Sequence, residues 1–194
     1  MERVAIFIDG SNFYHQLKKA FGKAAIDYRK FPEKLCGAQR SLIQTYYYTA
    51  PFPRNIDPQK AIDQQKFFAC LQKIPNLSLC LGRLEKRSLD LAPELKKSIE
   101  QALGNPLPPF YLVEKGVDVK IAVDMLRLAI EDAFDTAILV SGDGDFADVL
   151  QAVKETGKEV ELALVSGTPA RALIAACDRK ARFLNESFFA DCWA

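Results

Sequence analysis

Two stretches of this 194-residue chain end an apolar run abruptly in carboxylates and glycine. Val4-Ala5-Ile6-Phe7-Ile8 runs into Asp9-Gly10-Ser11-Asn12, and Ala137-Ile138-Leu139-Val140 runs into Ser141-Gly142-Asp143-Gly144-Asp145. Clustered carboxylates repel each other unless a cation neutralises them. The natural cation for an all-oxygen cluster is Mg²⁺ or Mn²⁺. Held by carboxylates, one or two such ions supply what phosphodiester hydrolysis needs: a nucleophilic water, a neutralised phosphoryl group and a stabilised leaving oxygen. Such chemistry needs no protein nucleophile. That suits a chain whose single histidine, His15, rules out multi-histidine metal sites.

Each acidic residue also has a plainer explanation. Asp9 could be an Asx-turn residue starting a helix. Asp143-Gly144-Asp145 could be a tight turn, with Asp145 as a helix N-cap. Asp118, near a helix start, is favoured there by the macrodipole. Asp124 lies on one stripe of that helix with Val117, Ile121 and Leu128. The helix is apolar nearly all round, so it is expected to be buried, and a charge on its inner stripe is costly unless paired. A structural salt bridge is the ordinary explanation there. In a regular helix Asp118 and Asp124 are about 120° and about 9 Å apart, too far to be direct ligands of one ion unless Asp118 precedes the helix proper. Lys115 is within reach of a phosphate or is a solvated loop residue; Asp148 is one turn on and solvated.

The elements that must position these residues alternate between strand and helix. The two apolar runs read as buried parallel strands, and in an open α/β sheet the polar residues past the strands' carboxyl ends line the ligand crevice. A helix capped by Ser11 or Asn12 follows the first strand to about Phe21, stopped by Gly22. A short helix over 31–38, a strand over 42–49, a helix opened by Pro58 and a strand over 77–84 come next. Residues 85–109 break the rhythm with a helical stretch at 93–103 and several prolines, and read as an insertion or flap. A strand over 110–114, a helix over 117–132, a strand over 136–141, a helix from Asp145, a strand over 159–165 and a helix over 169–177 complete the chain. This alternation predicts one α/β domain over 1–194, a parallel sheet with helices on both faces.

Forty-nine per cent of the residues are hydrophobic and the net charge is +1, so any nucleic-acid binding must come from a local patch. Five cysteines with no CxxC pair indicate neither a disulfide framework nor a zinc site. Reduced thiols in a cytoplasmic protein are the simplest reading. The first apolar run is too short for a signal peptide, and nothing approaches a membrane span.

FIDGSNFY (7–14), KGVDVKIAVDML (115–126) and LVSGDGDFADVL (139–150), in that order, resemble the NYN domain, the LabA-like branch of the PIN-like nuclease superfamily. A weaker echo in ALIAACDRKARFL (172–184) places Asp178 at a late acidic position. The resemblance implies a three-layer α/β/α sandwich with strand order 3-2-1-4-5 and a Mg²⁺- or Mn²⁺-dependent ribonuclease site. It makes Asp9, Asp118, Asp143 and Asp145 metal-binding carboxylates. Asn12, Lys115, Asp124 and Ser141 become site-shaping or substrate-contacting residues. The expected partner is single-stranded RNA, met by cations such as Lys18, Lys19, Arg83, Lys86, Arg179 and Lys180 and by aromatics such as Tyr14. Self-association is left open. Toprim domains want a glutamate after the first strand, where this chain has Asp9. Haloacid-dehalogenase phosphatases want a second acid where it has Ser11. A non-catalytic RNA-binding or regulatory module that keeps the acidic pocket is the alternative from a different class.

Overall fold

The computed structural model describes residues 1–177 and 181–194; Asp178, Arg179 and Lys180 lie outside the described residues. The elements in chain order are β1 (Arg3–Asp9), α1 (Gly10–Phe21), α2 (Lys30–Cys36), β2 (Ser41–Thr49), α3 (Pro58–Leu71) and β3 (Leu77–Leu81). An arm follows: β4 (Arg83–Ser88), α4 (Pro93–Leu103) and β5 (Phe110–Lys115). Then come α5 (Val117–Ile130), β6 (Thr136–Val140), α6 (Ala147–Glu155), β7 (Glu159–Val165), α7 (Arg171–Ala176), β8 (Arg182–Leu184) and α8 (Glu186–Phe189).

The main sheet is six-stranded in the order β3-β2-β1-β6-β7-β8, and every pairing in it is parallel. The expected order 3-2-1-4-5 is present, with β8 added at one edge. Successive strand residues point to opposite faces, and β1 shows the consequence. Val4, Ile6 and Ile8 pack with Phe13, Leu17, Phe31 and Leu35 of α1 and α2. Ala5 and Phe7 pack with Met125, Leu150 and Val153 of α5 and α6. Both faces are therefore covered, which is why β1 and β6 are apolar without alternation. Among the described residues no helix is long and apolar enough to cross a membrane.

β1 and β6 are direct neighbours, with Ile8 opposite Val140, so the segments that follow them emerge side by side at one end of the sheet. The local starts differ from expectation. The cap of α1 is Asp9, whose side chain accepts from the Asn12 N–H, rather than Ser11 or Asn12. A single 3-10 turn, Gly144–Phe146, precedes α6, and its cap is Asp143 rather than Asp145.

The run read as one strand over 77–84 is divided at Gly82. β3 ends at Leu81, and β4 leaves to pair antiparallel with β5, Leu84 opposite Glu114. The helical stretch at 93–103 is α4, which buries none of its residues. This arm stands apart from the sheet, and its second strand leads directly into α5. The inner stripe of α5 is buried as its spacing requires: Val117, Ile121 and Leu128 are at most 8% exposed. Its outer apolar residues are not covered, with Val119 at 66% and Ile130 at 69% exposure, so the expectation of a helix buried all round does not hold. One layer of helices covers each face of the sheet, which leaves the back of α5 to solvent.

Candidate active site

Asp9 is the last residue of β1 and is only 3% exposed. Its Oδ1 accepts from the Asn12 N–H at 3.1 Å and its Oδ2 from the Ser141 hydroxyl at 3.1 Å. Both donors are neutral. Among the described residues no lysine or arginine pairs with Asp9. Burial pushes its carboxyl up to about 6; the Asn12 N–H and the Ser141 hydroxyl offset part of that, and the charges of Asp118 and Glu114 add to it. A buried carboxylate facing other carboxylates is costly to ionise and gains from any cation that arrives.

The same hydrogen bonds tie the two strand ends together. Ser141, 1% exposed, donates to Asp9 and accepts from the Asp143 N–H at 3.1 Å. Asp143 Oδ1 then accepts from the Asp145 N–H at 3.0 Å. Asn12 Oδ1 accepts from the Gly142 N–H at 2.9 Å and from the Gln16 amide. Gln16 Oε1 accepts from the Thr168 hydroxyl at 3.0 Å and the Val165 N–H at 3.3 Å, so Asn12 and Gln16, bonded to each other on α1, together hold the ends of β6 and β7. The backbone packs closely enough here to require glycine. A Cβ on Gly10 would lie 2.6 Å from the Tyr47 ring and from the Tyr48 carbonyl, and one on Gly142 would meet Thr168 and Gln16.

Asp118 stands in the first turn of α5, where the helix dipole favours a negative charge. Its pKa is nevertheless raised, first by desolvation and then by the charges of Asp143 and Asp145. Asp9, Asp118, Asp143 and Asp145 thus share one electrostatic neighbourhood. Glu114 joins them. It is a half-buried acid on β5 that accepts from the Ser11 hydroxyl at 2.9 Å, and its pKa is raised by burial and, further, by Asp118. The donors are all carboxylate oxygens, the set a hard cation takes. No group of three or more acidic, histidine or cysteine side chains among the described residues closes around a single point.

Asp124 takes the structural alternative. Its Oδ2 accepts from the Tyr48 hydroxyl at 3.0 Å and its Oδ1 lies 3.6 Å from the exposed Arg127, so this partly buried charge is paired at the edge of the core. Lys115 is exposed. Alternation along β5 turns it to the face opposite Glu114. Ser141 is committed on both sides to holding Asp9 and Asp143, so it positions carboxylates. The Asn12 oxygen is likewise engaged with Gly142 and Gln16.

Beside the acidic cluster opens a cleft of about 870 Å³ between α1, α3 and the arm. Ser11 and Glu114 belong to both. Tyr14, Phe52, Lys60 and Phe67 line the rest.

Gln16 has one further consequence. Gln16→Ala leaves the Thr168 hydroxyl and the Val165 N–H without their shared acceptor, and lost buried hydrogen bonds of this kind cost about 1–3 kcal/mol. Urea denaturation is expected to show a loss in that range, and a midpoint equal to wild type would mean that water replaces the clamp at no cost.

Comparison with known proteins bears on the fold and the family. The chain is 28% identical over 179 residues to the low amplitude and bright protein LabA of Synechococcus elongatus, covering 91% of this chain and 81% of that one. It superposes on the crystal structure of a protein of unknown function from Vibrio parahaemolyticus with a TM-score of 0.65 at 22% identity, covering 95% of this chain and 93% of the other. That likeness supports the fold alone. Residues 3–185 match the NYN domain, and a match over nearly the whole chain means that this protein belongs to the NYN domain family, a PIN-like nuclease-type family suggestive of ribonuclease-type function.

Proposed function

We propose that this protein is a ribonuclease that hydrolyses RNA phosphodiester bonds with the help of Mg²⁺ or Mn²⁺. The observation that carries the reading is Asp9: buried, bonded only by neutral donors, and facing Glu114 and Asp118. A fold that leaves a carboxylate in that state loses stability unless a cation arrives in use. Mg²⁺ commonly keeps several waters and takes only one or two protein carboxylates together with substrate phosphate. Acids that do not close around one point by themselves fit that habit.

Asp9 and Asp143 would hold the ion, with Asp118 and Asp145 supplying further negative charge at the rim. When bound, the ion supplies an activated water and charge neutralisation at the phosphoryl group. The protein's own part is positional. Ser141 fixes Asp9 against Asp143, Gln16 fixes Asn12, and the Asn12 amide nitrogen would donate to a phosphate oxygen.

The rival reading is a non-catalytic RNA-binding or regulatory module. It draws on the same finding that no three acids among the described residues gather around a single point. Incubating purified protein with structured and unstructured RNA in Mn²⁺, Mg²⁺ or EDTA separates the two. Cleavage with a metal and none in EDTA is expected; no cleavage with any metal puts the module reading ahead. A second readout needs no turnover, because a ligand bound only by the folded state stabilises it. Millimolar Mn²⁺ is expected to raise the melting temperature of wild type and not that of Asp143→Asn. Equal shifts in both proteins would remove the site from these residues.

A further inference from the structure

We propose that the cleft beside the acidic cluster receives an unpaired base of single-stranded RNA, stacked on Tyr14 and Phe52, so that cutting is directed to strand segments whose bases are free. This rests on the ribonuclease reading above.

The cleft's volume, about 870 Å³, lies within the range of small-molecule sites and exceeds that of one planar base. Its lining is aromatic, with more acids than cations. Asp57, Asp63 and Glu114 line it. Asp57 caps α3 through the Lys60 N–H at 3.0 Å, and Asp63 bonds Gln59 at 3.0 Å and Lys66 at 3.1 Å. Walls of that charge repel phosphate and accept a neutral ring with amino donors. The cation that lines the same cleft is Lys60: it is exposed and its Nζ lies over one face of the Phe52 ring, 4.1 Å from the centroid, so a base would take the ring's other face. An aromatic face beside a lysine is the pairing with which proteins bind single strands, the ring taking the base and the cation the backbone.

The platform is built in advance. Gln64 Oε1 accepts from the Phe52 N–H at 2.6 Å and its amide donates to the Ala50 carbonyl at 3.1 Å, which fixes the loop carrying Phe52. Phe67 forms the floor, edge-on to Tyr47 with ring centroids 5.7 Å apart. Tyr14 of α1 lines the same cleft, is 48% exposed and has its ring edge-on to His15, so it is available for contact. Continuity with the acidic cluster through Ser11 and Glu114 sets the register. A base held here leaves its own phosphate toward Asp9. A base paired in a duplex cannot enter, because its edge and both faces are already taken.

The test uses whole protein and a short single-stranded RNA. Binding is followed by fluorescence anisotropy in EDTA, where nothing is cut, and by steady-state cleavage in Mn²⁺. Tyr14→Ala and Phe52→Leu are each expected to weaken binding about tenfold and to raise KM with kcat within about twofold, the size of one lost base stack. Phe52→Leu keeps apolar volume without the ring, and a melting temperature near wild type shows that the loop is intact. An oligonucleotide carrying abasic nucleotides is expected to bind wild type as weakly as normal RNA binds the variants. The proposal is overturned if both variants bind like wild type, if the abasic strand binds as tightly as the normal one, or if wild type binds duplex and single strand alike. Metal-dependent cleavage with no dependence on Tyr14 or Phe52 sinks this inference and leaves the ribonuclease reading standing. Absence of cleavage by wild type sinks that reading whatever the binding shows.

Discussion

Asp9→Asn is expected to lower metal-dependent RNA cleavage by at least about 100-fold while making the metal-free protein more stable at neutral pH. The first part follows from charge: asparagine keeps the size of the side chain but removes one full negative charge, and charge stabilisation centred on a metal is worth several kcal/mol in the transition state. The second part follows from the folded carboxyl being raised from 3.8 to about 6. A raised acid means that the folded state binds its proton more tightly than the unfolded chain. Below the unfolded value both states are protonated and Asp9 costs nothing. As pH rises toward the folded value the penalty grows, and above about 6 it is complete, at about 3 kcal/mol. The gain from Asp9→Asn is therefore expected to be absent near the unfolded value and full at neutral pH, read by urea denaturation in EDTA. Asp148→Asn, on the exposed side of α6, is the matched control and should be near neutral in both assays. If wild type cuts RNA and Asp9→Asn cuts equally well, Asp9 does not hold a catalytic ion. A pH-independent difference in stability would mean that burial is not what sets its proton affinity.

Asp9 and Asp143 stood out in the sequence as candidates because each comes at the end of an apolar run, and both also cap the helical turn that follows. The same runs disclosed the sheet, since strands covered on both faces are apolar without alternation. Glu114 was not legible as a site residue. It sits in a strand with no fully buried residue, and its pairing opposite Leu84 and its bond from Ser11 turn it inward. The available signal was period two: Leu112 and Glu114 share a face, and both line the cleft. Gln16 carried no local signal at all. A glutamine on an amphipathic helix reads as solvated, and its partners Thr168 and Val165 lie about 150 residues away.

Where periodicity misled, a third dimension was missing. The stripe containing Asp124 was read correctly as inward, but that stripe meets Tyr48 and Arg127. Val119 and Ile130 look like core residues, yet they lie on the outer face of the outermost layer. The strand over 77–84 looked continuous because the residues on both sides of Gly82 favour strands; the chain changes sheets there. β8 has three residues, too short for any period to register.

The second large effect lies at the other end of the sheet, and it sharpens the meaning of the first. Glu161 on β7 is 1% exposed, as buried as Asp9. Unlike Asp9 it is met by guanidinium groups: Arg40 at 2.7 Å and Arg182 at 2.9 Å. Arg40 also reaches Glu2 at 3.3 Å and donates to the Cys36 carbonyl at 2.7 Å, binding α2, the start of β1 and β7 together. This is how the fold treats a buried acid whose role is structural. Removing one partner of such a group leaves a charge in low dielectric and typically costs 3–5 kcal/mol. Arg40→Met is expected to lose about 3 kcal/mol, because Arg182, 38% exposed, keeps part of the compensation. Adding Glu161→Met should restore much of that loss, since the uncompensated charge goes with it. Below its melting temperature the single variant should cut RNA at a rate close to wild type, because nothing at the carboxyl ends of the strands has changed. A loss under about 1 kcal/mol would mean that water or Arg182 satisfies Glu161 alone, and the contrast with Asp9 would lose its force. If the loss is found, then of two equally buried acids the fold has neutralised one with arginines and given the other, among the described residues, neutral donors and neighbouring carboxylates. The difference marks where a cation is expected from outside.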